Sequence, residues 1–334
     1  MGILGVKGWT DRFCGIMAYI MKKVYVVIGG DGFVGSNVVR ALKSRKETVV
    51  VSGGLNGDDL AKLFAVHGSK KVEYVVVHAE SVVYLGNDKE RVAKMQEVNV
   101  EGTRAVIAAC VKHRARLVYV SSVHAIPEVP RRGVIAEVEE FNPKKVVGHY
   151  AKSMARASQL VVDAVFTDSL DAVIVHPSAI AGPGDLSGTY LTQLIADYQE
   201  GRIPAVTSGG FDFVDVRDVA AGIIRVAEVG RRGESYILSG SYYPIKDVLD
   251  MLHELGVGKR VKMKLPLWTV RAGLPFVAIG ARIKKQEPSY SRYSLHALGA
   301  ANNFSNEKAR SELGFDPRPL RESLIDMVAE GANG

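Results

Sequence analysis

Val24-Tyr25-Val26-Val27-Ile28-Gly29-Gly30-Asp31-Gly32-Phe33-Val34-Gly35-Ser36-Asn37-Val38-Val39-Arg40 is a β-branched run that ends in a glycine turn and passes directly into a helical pattern. Gly29, Gly32 and Gly35 fall in the spacing G-x-x-G-x-x-G. A strand–turn–helix that cradles a pyrophosphate needs glycine at such points: for the tight turn, for close approach of the backbone to the anion, and for close packing of helix on strand. The free N–H groups at the start of the helix, including those of Phe33 and Val34, then face the phosphates. The alternative is a glycine-rich turn that binds nothing.

Outward from this turn, strands and helices alternate. The first helix runs to about Ser44, Thr48 to Ser52 reads as a second strand, and Glu73 to Ala79 as a third. Asp88 to His113 has the length and period of one long helix, with Val92, Met95, Val98, Val106 and Ile107 on its apolar face. Leu117 to Ser121 is a fourth strand. This order predicts an α/β fold with a doubly wound parallel sheet covered on both faces. In such a fold the end of the second strand meets the adenosine ribose, where Asp or Glu favours NAD and Arg favours NADP. Ser52-Gly53-Gly54 supplies neither, so the sequence leaves NAD or NADP open.

The chain has 334 residues, with 47% hydrophobic and 24% charged residues, as expected of a globular protein with ample core. Cys14 and Cys110 offer neither a disulfide framework nor a metal-ligand spacing. No His/Cys/carboxylate cluster has such a spacing either, so no metal is expected. A reducing, cytoplasmic setting is the expectation. The net charge is +7, and Lys259, Arg260, Lys262, Lys264, Arg271, Arg282, Lys284 and Lys285 lie in one stretch without an acid. Such a stretch suits a solvated basic face, an anionic substrate or a membrane surface. Residues 1–21 make a poor signal peptide and a poor membrane span. We expect them to be an extension outside the fold, disordered or arising from a mis-assigned start ahead of Met21.

Several further stretches fall in order along the chain. They are Gly29-x-x-Gly32-Phe33-x-Gly35-Ser36, Asn99-Val100-Glu101-Gly102-Thr103, Tyr119-Val120-Ser121-Ser122 and Tyr150-Ala151-Lys152-Ser153. His176-Pro177-Ser178-x-x-x-Gly182-Pro183-Gly184-Asp185 and Phe213-Val214-Asp215-Val216-Arg217-Asp218-Val219-Ala220 follow. In order and spacing, the chain from Met21 onward resembles the extended short-chain dehydrogenase/reductases. It is most similar to bacterial proteins grouped with dihydroflavonol 4-reductases and NAD-dependent epimerase/dehydratases. The resemblance implies a Rossmann-type sheet in residues 22–181 and a smaller, interleaved substrate-binding lobe in residues 182–334. It implies a cofactor held by Gly29, Gly32, Phe33, Val34, Gly35, His78, Ala79, Asn99, Ser121, Tyr150, His176, Pro177 and Ser178. It also implies a small-molecule substrate, with no nucleic acid and no integral membrane span, and a homodimer paired through the helices that hold Asn99 and Tyr150.

The chemistry so implied rests on Ser122, which polarises the substrate oxygen, and on Tyr150 as acid/base. A free phenol titrates near ~10 and needs its anion stabilised to act as a base at neutral pH. The resemblance places a lysine for that purpose four residues on, where this chain has Met154. Lys152 points roughly 200° round the helix and is not a substitute without a change of register. Lys144, Lys145 or His149 would have to compensate from the preceding loop.

A second departure is His78-Ala79-Glu80-Ser81, where relatives carry small residues. Glu80 brings bulk and negative charge toward the pyrophosphate. His124 either lines the substrate pocket or is a surface loop histidine. Asn99 either organises the site or makes a local backbone bond.

Beyond Gly182, the expected elements are a helix over Leu186–Glu200, a strand at Phe211–Val214, a helix over Val216–Val229, a strand at Tyr236–Leu238 and a helix opened by Pro244. Helices over Asn306–Leu313 and Pro319–Glu330 complete the chain. The apolar, proline-broken stretch Leu265–Ile283 reads as a lid over an apolar pocket, or as an interfacial membrane contact. The predicted function is hydride transfer between NAD(P) and a carbonyl or carbinol, impaired by Met154. The alternative is a cofactor-binding pseudoenzyme serving as sensor or scaffold.

Overall fold

The computed structural model describes residues 22–53, 60, 62–64, 72–129, 133–186, 188–266, 269, 292–300 and 303–331. The expectations for residues 1–21 and for most of the stretch between Leu265 and Ile283 lie outside these. Strand β1 (Lys22–Ile28) leads through the glycine turn into α1 (Phe33–Ser44), and β2 (Thr48–Ser52) and β3 (Val72–His78) follow. Then come α2 (Lys89–Gln96), a π-helical stretch (Glu97–Gly102), α3 (Thr103–His113), β4 (Arg116–Val120), α4 (His149–Thr167) and β5 (Ala172–Pro177). The expected helix from Asp88 to His113 is thus interrupted. Asn99 sits within the wide turn and bonds away from its own helix, the kind of π-bulge often found at functional sites.

The chain continues through β6 (Ala179–Ala181), α5 (Tyr190–Gln199), β7 (Ala205–Thr207), β8 (Gly210–Asp215), α6 (Val216–Val229) and β9 (Ser235–Leu238). β10 (Ser241–Pro244), α7 (Ile245–Glu254), β11 (Met263–Leu265), α8 (Arg292–Gly299), α9 (Glu307–Leu313) and α10 (Leu320–Gly331) complete it. Helix α5 begins later than the expected Leu186. Gly188 takes a left-handed φ of 68°, and the Asp185 carboxylate accepts from the Thr189 N–H and the Thr192 hydroxyl, both at 2.6 Å.

The central sheet runs β2-β1-β3-β4-β5-β9 with every pairing parallel. Its sixth strand comes from the C-terminal half of the chain. Alternate residues of β1 feed opposite layers. Tyr25 and Val27 join Val38, Leu42, Val219 and Ile223 under α1 and α6. Val26 and Ile28 join Met95, Ile107, Val161 and Met154 under α2, α3 and α4. Full burial of each such side chain contributes roughly 1.5–3 kcal/mol before entropy is counted. A small sheet runs β10-β8-β6, and a further core cluster includes Leu191, Phe213, Leu252 and Leu324.

Strand order reverses between β2 and β3 on either side of β1. Ligands of such sheets bind outside the carboxyl ends of the strands at this reversal. Among the described residues no helix is long and apolar enough to cross a membrane.

Candidate active site

The glycine turn lies at this reversal. Gly29 (φ 76°) has the left-handed backbone that disfavours a side chain, and a Cβ there would meet the Glu80 backbone nitrogen at 2.7 Å. A Cβ on Gly35 would fall 2.0 Å from the Gly29 carbonyl oxygen, so helix and turn touch through glycine alone. Gly32, the N-cap of α1, uses no side chain to bond the open N–H groups, and the first turn of α1 holds no acid. The N–H groups of Phe33, Val34 and Gly35 are therefore presented to an anion. This cradle fits a dinucleotide.

The remaining expected residues gather at the carboxyl ends of the neighbouring strands. At β3, His78 is fully buried, with Nε2 3.1 Å from the Thr103 hydroxyl, and burial holds its pKa down at about 4. Ala79, next along, donates its N–H to the Ile28 carbonyl. At β4, the Ser121 and Ser158 hydroxyls are 2.8 Å apart. At β5, His176 places Nδ1 3.1 Å from the Ser122 carbonyl oxygen, and burial likewise holds it neutral, with a pKa of about 4. Pro177 ends β5, and Ser178 is tied by its N–H to the Leu238 carbonyl.

Asn99 does more than make a local bond. Its Oδ1 accepts from the Val82 N–H at 2.7 Å, and its Nδ2 donates to the Val82 carbonyl at 2.9 Å and to the Ser153 hydroxyl at 3.0 Å. Ser153 in turn donates to the Tyr150 carbonyl at 2.7 Å. The loop after β3, the π-helical turn and the first turn of α4 are thereby locked together. Ser153 was not anticipated as a member of this chain; its place three residues after Tyr150 was the available signal.

The Ser122 side chain lies close enough to the Tyr150 phenol to affect its titration. Burial pushes the Tyr150 phenol above its ordinary pKa, Ser122 opposes this, and among the described residues no cationic side chain is one of the groups that shift it. Met154 is 1% exposed and belongs to the core under α4. Lys144, Lys145 and His149 are exposed. His124 is half-buried rather than a surface residue: its ring centroid is 6.1 Å from that of Tyr150 at a near-perpendicular angle. Burial pulls its pKa to about 4, so the ring is neutral at physiological pH.

Next to this group is a recess lined chiefly by apolar side chains, including Val123, Ile126, Ile135, Ala297 and Phe304. Its lining includes a Glu128–His296 contact of 2.7 Å between residues far apart in sequence. No local pattern announces that pair.

The family model described as NAD dependent epimerase/dehydratase matches residues 25–239. The chain belongs to that family. A putative dihydroflavonol 4-reductase from Synechocystis sp. is 30% identical over 92% of this chain and 94% of its own length. Sterol demethylase protein B from Methylococcus capsulatus is 28% identical over 91% and 97%. Among solved structures, gox2253 superposes with a TM-score of 0.77 at 29% identity, covering 93% of this chain and 98% of its own.

As a member of the epimerase/dehydratase family, the chain is an NAD(P)-dependent enzyme of oxidoreductase or epimerase type. Family membership favours catalysis over the sensor or scaffold alternative.

Proposed function

We propose that this enzyme reduces the carbonyl of an apolar small molecule with a reduced nicotinamide dinucleotide, Tyr150 giving the proton and Ser122 positioning the carbonyl oxygen. The dinucleotide, held on the glycine turn, supplies the hydride. The observation that carries the reading is the buried Tyr150 hydroxyl beside Ser122, with no cation among the described residues to stabilise its anion. Such a phenol is neutral at physiological pH, the form that donates a proton to a developing alkoxide. Carbinol oxidation needs the phenolate, which this environment disfavours. The mostly apolar side chains around the small recess beside His124 agree with an apolar group at that end of the substrate. The names of the two curated relatives agree with that class.

In this reading residues 22–181 hold the dinucleotide and 182–334 shape the substrate side. The resemblance implies a homodimer paired through the helical segments that hold Asn99 and Tyr150, and light scattering in solution tests it.

The test of function is a panel of apolar ketones and sugar nucleotides offered with NADH or NADPH. Reduction of a ketone is expected, and Tyr150→Phe lowers it on the order of 10²–10⁴-fold while dinucleotide binding remains. Turnover of sugar nucleotides alone, or a fully active Tyr150→Phe enzyme, rejects the reading.

A further inference from the structure

The end of β2 carries no acid or arginine in the sequence, yet the structure brings a carboxylate there from another element. Gly29 and Gly30 both donate their N–H groups to the Ser52 carbonyl, at 2.9 and 3.0 Å, and so bind the glycine turn to the last residue of β2. Asp31, next in the turn and exposed, then lays its side chain against Gly53. The Cβ that Gly53 lacks would sit 2.8 Å from Asp31 Oδ2 and 3.2 Å from Cγ. The missing side chain of Gly53 is the space the carboxylate occupies.

We propose that Asp31 is the residue that selects the cofactor, accepting a hydrogen bond from the adenosine ribose 2′-hydroxyl and so favouring NAD(H) over NADP(H). The inference rests on the dinucleotide reading of the turn. An acid at the end of β2 ordinarily meets this hydroxyl, and here the acid reaches the same place from the turn. A 2′-phosphate would meet a like charge. From Ser52 to Leu60 the sequence carries Asp58 and Asp59 and no lysine or arginine. Glu80 lies close enough to Asp31 to feel its charge. Burial and then the Asp31 charge push its carboxyl up, with Lys94 opposing.

Glu80 and Asp31 differ in what they distinguish. The Glu80 backbone abuts Gly29, which faces the pyrophosphate common to both dinucleotides. Asp31 faces the one group by which they differ.

The experiment titrates the purified protein with NADH and with NADPH, following nicotinamide fluorescence. Asp31 is exposed and screened, so the expected preference for NADH is about tenfold and not thousandfold. Asp31→Asn should remove most of it, and Asp31→Lys should reverse it. Gly53→Ala, which alters no charge but crowds the carboxylate, should weaken NADH and leave NADPH nearly unchanged. Glu80→Gln should tighten both and keep their ratio. Wild-type preference for NADPH, or a ratio unmoved by Asp31→Asn, overturns the assignment and leaves the dinucleotide reading standing. If neither dinucleotide binds, the reading falls and the assignment with it.

Discussion

Met154 lies one helical turn beyond Tyr150 on the same face of α4, closed off from solvent, at the position where the resemblance places the lysine that steadies the phenolate. Methionine fills the length of such a side chain without its charge. Met154→Lys should therefore lower the Tyr150 pKa and raise carbinol oxidation at neutral pH on the order of 10²-fold. Reduction below pH 7, which needs only the neutral phenol, should change far less. The new charge is desolvated, and without a partner it costs about 3–5 kcal/mol of stability. Paired pH–rate profiles in both directions and a thermal melt measure these effects. An oxidation limb that stays where it was would mean that Tyr150 does not carry the proton.

The glycines of the turn separate packing from binding. Gly35→Ala places a methyl 2.0 Å from the Gly29 carbonyl oxygen, a backbone atom that cannot swing aside. Overpacking of this kind should cost about 1–3 kcal/mol and abolish dinucleotide binding as well. Gly32→Ala meets only the same oxygen at 3.3 Å, from a φ of −74° that any residue adopts. That variant should melt within a few degrees of wild type and still bind dinucleotide poorly, because its methyl faces the anion. Equal melting points for the two variants would contradict the geometry.

These contrasts mark what a linear reading reaches. The β1–turn–α1 unit is local: its β-branched run, glycine spacing and helix onset all lie between Val24 and Arg40, and each of them fixes backbone geometry directly. The alternation of strands and helices was legible for the same reason. The rest depends on register. Asp31 reaches the end of β2 only because β1 and β2 pair in parallel with Ile28 opposite Ser52. Glu128 and His296 meet through a C-terminal helix that supplies part of the recess lining, and neither side of the contact has a periodic signal. The environment of His124 was equally out of reach, since its burial is set by α4 and α8 and not by its own loop.

Asn99 offers a test of the link between the π-helical turn and the site. Its amide satisfies both the N–H and the carbonyl of Val82 as well as the Ser153 hydroxyl. Asn99→Ala leaves these groups unpaired, at about 1–3 kcal/mol for each one that water does not reach. We expect a total loss of about 2–4 kcal/mol in urea unfolding. Asn99→Asp should be little better, because a carboxylate accepts from Val82 N–H but cannot donate to its carbonyl. In both variants Ser153 keeps its bond to the Tyr150 carbonyl but loses the tie to Asn99 that joins the first turn of α4 to the π-helical turn, so kcat should fall more than dinucleotide affinity.

Two buried aspartates on β8 should titrate with opposite consequences. Burial raises Asp212 to about 6, although the Gly240 N–H bonds its Oδ1 at 2.9 Å. The folded state then binds this proton more tightly than the unfolded chain, so its contribution to stability declines as pH rises from about 4 to about 6. Asp215 is buried too, but Arg217 bonds it at 2.7 Å and 2.8 Å and the Ser323 hydroxyl at 2.6 Å, and these together hold its pKa below the ordinary value. Its contribution is present above the unfolded value near ~3.9 and is lost as pH falls below it. Asp212→Asn keeps an acceptor for Gly240 and should gain up to about 2 kcal/mol at pH 8 while gaining nothing at pH 4. Asp215→Asn should lose about 2–4 kcal/mol at pH 8, since Arg217 is partly solvated and retains Asp326, and the loss should shrink in acid. Urea unfolding of the two variants across this range measures both slopes, and slopes of the same sign would show that the Arg217 network does not outweigh the burial of Asp215.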